Sequence, residues 1–180
     1  MKKFLFLIAL LFSGLAFSQS DEEKIEWNQD RPLTWADFKA EPPANDPYEA
    51  NTNSGISYSW TYSTSSGRPD LRYEVHTYFY PELSWSRELE EEDYILAHEQ
   101  LHFDISELYA RKLRKELEEY EIGRNIRRDL RNIYNKIEQE REAMEKAYDA
   151  ESNHSKNREA EFRWRKMIAK KLSELQQYSS

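Results

Sequence analysis

The chain has 180 residues, of which only 38% are hydrophobic, so it suits one modest domain whose core must draw on 5 Trp, 12 Tyr and 8 Phe. Its formal net charge of −8, with no basic block, excludes a partner recognised through a phosphate backbone, and nucleic acid is not expected. The absence of cysteine excludes disulfides and the lipid-bearing cysteine of a bacterial lipoprotein.

At the start of the chain, Lys2 and Lys3 precede an apolar run over residues 4–12, and small residues lead to Ser18. This is the pattern of a cleaved secretory signal (1–18), with Gln19 as the mature N-terminus. The run is shorter than the roughly 20 residues of a membrane span, so no stable membrane insertion is expected after cleavage. The product belongs in the periplasm or outside the cell. Residues 19–180 then form a single domain, with a lead-in over 19–54, a hairpin region over 55–88 and a helical half over 89–180.

The lead-in mixes Trp27, Trp35 and Phe38 with Pro32, Pro42, Pro43 and Pro47, which predicts extended or turn-rich chain rather than a long helix. Residues 55–63 then alternate Ile56, Tyr58, Trp60 and Tyr62 with small polar residues. Residues 71–80 form a second aromatic and β-branched run, and Ser66, Gly67, Pro69 and Asp70 lie between the two. The pattern predicts a β-hairpin, with His76 as an exposed or edge residue.

From Leu89 onward there is no proline, and Gly123 is the one glycine. Apolar residues recur at helical spacing, which predicts three helices. The first covers about residues 91–120 with an inward stripe of Ile95, Leu101, Ile105, Leu108, Leu113 and Leu117. The second, about 125–150, carries Ile126, Leu130, Ile133, Ile137 and Met144. After a break at Ser152, Asn153, Ser155 and Asn157, a third is marked by Phe162, Trp164, Ile168, Leu172 and Leu175. The charged runs 111–121 and 138–146 read as solvated helix faces. The fold class is therefore α+β, a small antiparallel sheet followed by about three helices.

Residues 97–103 contain His98-Glu99-x-x-His102 on the first predicted helix. Four residues apart, two imidazoles point the same way and can share one Zn²⁺, with Glu99 beside the metal's water as general base. The neighbours Ile95, Leu96, Ala97, Leu101 and Phe103 are uncharged, as a helix beneath a buried metal requires; Asp104 departs from that pattern. A catalytic zinc usually takes three protein ligands and keeps a fourth place for water. At about 100° per residue Glu107 lies opposite His98, so the third ligand must come from another element. Ile105 and Leu108 exclude the HExxHxxGxxH extension. His154, in the junction between the second and third helices, is the favoured donor, with Asp149, Glu151 and Glu161 as competitors or as residues that orient a histidine. Tyr148 reads as a core tyrosine or as a hydrogen-bond donor to a developing oxyanion.

Residues 32–38 (PLTWADF), 97–105 (AHEQLHFDI), Ala110-Arg111 and 148–154 (YDAESNH) resemble a bacterial family of secreted zinc-dependent proteases inferred from the same motif, domain of unknown function 922. The resemblance covers nearly the whole mature chain. Its most specific parts are the helix motif and a later Tyr-Asp-x-Glu-(Thr or Ser)-x-His, which fall on His98, Glu99, His102 and on residues 148–154. In that family the later His is commonly followed by Gly, where this chain has Ser155. The resemblance implies a zincin-like metallopeptidase acting on peptide or protein substrates. The competing expectation is a non-catalytic zinc-binding envelope or interaction protein.

Overall fold

In chain order the protein forms β1 (Ile25–Glu26), β2 (Ala50–Asn51), β3 (Ser54–Ser63), β4 (Asp70–Phe79), β5 (Trp85–Ser86), α1 (Glu92–Glu118), α2 (Ile126–Ser152) and α3 (Arg158–Glu174). The computed structural model describes residues 23–65, 67–87 and 92–180. The expected signal segment 1–18 with Gln19, Ser66 of the expected inter-strand connection and the expected helix start at about residue 91 lie outside the described residues. Among the described residues, no helix is long and apolar enough to cross a membrane. The architecture is the expected α+β arrangement, with a small antiparallel sheet in the N-terminal half and three helices after it.

The alternation of residues 54–63 and 70–79 produces the hairpin, paired with Ile56 opposite Thr77 and Tyr58 opposite Val75. Gly67, at φ 79°, takes the left-handed position that its turn demands. Ile56 and Val75 are buried against α1, while His76 faces outward and pairs through Nδ1 with Glu26 at 2.6 Å.

The lead-in is more ordered than its prolines imply. β1 adds to β4, giving a three-stranded sheet in the order β1-β4-β3, and β2 pairs with β5 in a second sheet. Strands of two residues are too short to show a period. Leu33, Phe38, Phe79 and Phe103 form a small core beneath this segment.

A short 3-10 turn, Trp35–Asp37, anchors the lead-in. Asp37 accepts from the Thr34 backbone N–H at 2.7 Å and pairs with Arg31 at 2.7 Å. Burial by itself would raise the Asp37 pKa, but these partners outweigh it and hold the carboxyl below its ordinary value. A depressed folded value means stability that is present above the unfolded pKa and is lost as pH falls through the folded one. Asp37→Ala is therefore expected to cost about 1–2 kcal/mol at pH 7, with the gap from wild type narrowing toward about pH 3. Urea unfolding at both pH values checks it, and an undiminished gap in acid would remove the ionised carboxylate from the account.

α1 is the central element. Its stripe of Ile95, Leu101, Ile105, Leu108, Leu113 and Leu117 is buried as its spacing predicts. The charged run from Arg111 is not wholly a solvated face: Arg111 and Arg114 are buried, because β4 and the C-terminal turn enclose that side of the helix. Both guanidinium groups donate to Glu107 Oε1, at 2.8 and 3.1 Å, and the Thr77 hydroxyl donates to Glu107 Oε2 at 2.7 Å. Remaining donors reach the carbonyls of Leu172, Val75 and Tyr178, so the buried charges are satisfied. On α3, Trp164 and Ile168 are buried, whereas Phe162, expected in the same stripe, is 58% exposed and lies beside the Tyr94 ring.

Candidate metal centre

His98 and His102 sit one turn apart on α1, with ring centroids 5.0 Å apart. Each ring is gripped through Nδ1. The His98 Nδ1 lies 3.0 Å from Glu161 Oε2 and 2.6 Å from the Tyr148 hydroxyl, which itself donates to Glu161 Oε1 at 2.8 Å. The His102 Nδ1 is bonded to Glu145. A carboxylate on Nδ1 assigns the proton there and leaves Nε2 as the open lone pair. Both Nε2 atoms face Asp149 Oδ1, at 3.7 Å from His98 and 3.3 Å from His102.

One ligand atom from each of His98, His102 and Asp149 lies within 4.8 Å of the others, a spacing that one cation could bridge. The donor set is borderline-soft nitrogen with one carboxylate, which suits zinc. The charge balance agrees. Burial by itself would lower the His102 pKa, yet hydrogen bonds to Asp149 and Glu145 outweigh it and hold the imidazole well above its ordinary value. For Asp149 and Glu161, burial would raise the carboxyls, and the histidine partners reverse it. The pocket stabilises positive charge. Glu99, 4% exposed, has a buried Oε2 without a hydrogen-bond partner, an oxygen available to a group the protein itself does not supply.

His98, Glu99, His102, Glu145 and Asp149 open onto a cavity of about 580 Å³. α1 forms one wall; the segment from Pro47 to Ser54 and the loop after α2 form the others. The Thr52 hydroxyl donates to the Glu99 carbonyl at 3.2 Å, fastening the β2 segment over the helix.

His154 stands at the rim, outside the tight group. Its Nδ1 is 3.6 Å from Asp149 Oδ1, its Nε2 is 3.1 Å from the Tyr48 hydroxyl, and the Tyr48 ring lies 4.2 Å away. The loop that carries it is conformationally unusual: Asn153, His154 and Ser155 have φ of 49°, 49° and 68°. Left-handed backbone costs a non-glycine residue about 1–2 kcal/mol. Hydrogen bonds from His154 N–H to Asp149 O, from Lys156 N–H to Asn153 O, from Asn157 N–H to Ser152 O and from the Tyr94 hydroxyl to Ser155 O are among those that hold it. Ser155→Gly is expected to raise stability by up to about 1 kcal/mol. Urea titration checks this, and a fall in stability would show that the serine is not strained.

The other competitors separate by position. Glu161 is fully buried beneath His98. Glu151 turns away to accept from Trp164 Nε1 at 2.9 Å. Tyr148 is fully buried behind His98, and its hydroxyl is committed to Glu161, so it acts inside the core rather than at the cavity. Asp104 accepts from Trp27 Nε1 and Gln100 Nε2, both at 2.8 Å, which explains its place on an otherwise apolar face. Glu107 faces the sheet, as its helical angle predicts.

Glu145 and Tyr48 carry no motif and were not singled out from the residues alone. Glu145 was within reach of the helical period, since it precedes Asp149 by one turn on α2.

No curated protein and no solved structure gives a significant match. A family model described as bacterial protein of unknown function (DUF922) matches residues 25–155. That span covers both long β-strands, α1, α2 and the whole constellation except Glu161. With most of its length matched, the chain belongs to the DUF922 family of bacterial proteins of unknown function.

Proposed function

We propose that this protein is an exported zinc-dependent metallopeptidase in which His98 and His102 hold the metal and Glu99 moves the proton. Asp149, grouped with both histidines, and His154, at the rim, are our candidates for the third donor. The observation that carries the reading is the buried, unpartnered Glu99 carboxylate oxygen on the same cavity as two imidazoles with carboxylate-gripped Nδ1 atoms.

When bound, zinc supplies Lewis acidity to a carbonyl and to a water. The chain does the rest. Glu99 accepts a proton from the attacking water and returns it to the leaving amine, a part open to its Oε2, which has no hydrogen-bond partner in the protein. Glu161 and Glu145 keep the imidazole rings from turning. The Tyr48 hydroxyl at the cavity wall is a donor within reach of a bound peptide.

Purified protein is expected to carry one zinc per chain and to cleave a peptide library. A chelator should stop cleavage and lower the melting temperature, and added zinc should restore both. Absence of bound zinc together with an unchanged melting temperature would sink the proposal.

A second reading has its own support. Asp149 and His154 lie 3.6 Å apart, so if both coordinated, four protein donors would close the site and the metal would serve structure alone.

A further inference from the structure

A second groove lies toward the other end of β3 from the candidate metal centre. β3 contributes Tyr58, Trp60 and Tyr62, and the first turns of α2 contribute Arg127, Arg131 and Tyr134, around a volume of about 730 Å³. Tyr58 and Tyr134 stack at 5.5 Å and 18°. The Tyr58 hydroxyl is buried without a hydrogen-bond partner. Burial pushes this phenol up to about 12, so it keeps its proton and offers a donor.

The arginines are out of place on ordinary grounds. Arg127 falls in the first turn of α2 and Arg131 in the second, where the helix's own partial positive charge disfavours cations. Both are exposed, and among the described residues no ion pair holds either one. This occurs in a chain whose 34 acidic residues outnumber its 26 Lys and Arg, yet no acidic residue lines the groove.

We propose that this groove docks an acidic polypeptide segment. Arg127 and Arg131 take its carboxylates, and the surface of Tyr58, Trp60 and Tyr134 takes its aromatic or aliphatic side chains. Guanidinium groups donate to carboxylates through a planar fork, and Trp, Tyr and Arg are the residue types enriched among the residues that carry protein–protein binding energy.

β3 runs from Ser54 at the metal cavity to Trp60 in this groove, about 20 Å of strand. Where the peptidase reading holds, the groove anchors acidic substrates for it. The docking itself does not depend on that reading.

The test uses the mature protein and a synthetic peptide that alternates Glu with Tyr and Leu, followed by calorimetry at low salt. Saturable binding is expected. It should weaken by about tenfold or more in Arg127→Glu/Arg131→Glu and in Trp60→Ala. A matched charge reversal on α3, Lys166→Glu/Lys170→Glu, should leave affinity within about twofold. Acidic residues early in α2 suit the helix dipole, so the reversed protein should fold and keep its zinc. No saturable binding, equal losses in the two double variants, or binding of polygalacturonate in place of the peptide would each overturn the proposal. Loss of peptide docking with Glu99-dependent turnover of neutral peptides intact would place the defect in this groove and leave the metal centre standing.

Discussion

Glu99→Gln is expected to lower peptide turnover by about 10²- to 10⁴-fold while zinc stays bound at full stoichiometry. The substitution keeps the size of the side chain and removes its ability to take a proton. Stability should change little, because Glu99 Oε2 has no hydrogen bond in the protein to lose. Zinc should remain, because Glu99 lies outside the group formed by His98, His102 and Asp149. A digest of a peptide library, run beside a metal assay on the same preparations, separates the outcomes. Equal turnover by both proteins would take Glu99 out of the mechanism. Zinc bound by both with cleavage by neither would favour the closed, structural site.

Removing a ligand should have the largest effect on metal affinity. His98→Ala and His102→Ala are expected to weaken zinc binding beyond the roughly 10–100-fold typical of an orienting partner, the range expected for Glu161→Gln and Glu145→Gln. Asp149→Ala and His154→Ala form the informative pair. Asp149 Oδ1 faces both Nε2 atoms, so its loss should be the greater; His154, at the rim, should matter less unless it swings inward. Competition against a chelating dye measures each variant. If His154→Ala falls with the two α1 histidines while Asp149→Ala holds, the third donor is His154. Full affinity in His98→Ala would place the ion elsewhere.

The helical half was readable because its elements are long. Residues such as Ile105, Leu108, Leu130, Ile137 and Ile168 repeat often enough for the 3.6-residue period to stand out, and all are buried. β3 and β4 declared themselves by alternation over ten residues each. β1, β2 and β5, of two residues each, are made by partners distant in sequence, which a local pattern does not record. Phe162 misled because helical spacing identifies a face without saying how wide the buried stripe is.

The same contrast holds at the metal centre. His98, Glu99 and His102 lie within one turn, so their convergence follows from helix geometry. The convergence of Glu145, Asp149 and Glu161 depends on how α2 and α3 return across α1. Glu161 is 63 residues from His98, and only the folded chain makes them neighbours. The tight turn after α2, with its three left-handed residues, is what lets carboxylates from both arms close on one imidazole pair.

The family-matched span ends at residue 155, but the carboxylate that steadies His98 stands on α3, beyond that boundary. A fragment trimmed to residues 25–155 would retain every donor atom and still be miswired. With Glu161 gone, the Tyr148 hydroxyl and the His98 Nδ1 would keep their mutual 2.6 Å contact but lose the carboxylate they share, and the ring would no longer be fixed in the nitrogen it presents. The terminal helix is thus a splint for the candidate metal centre, and the unit that holds these side chains in place extends past the family-matched span into α3.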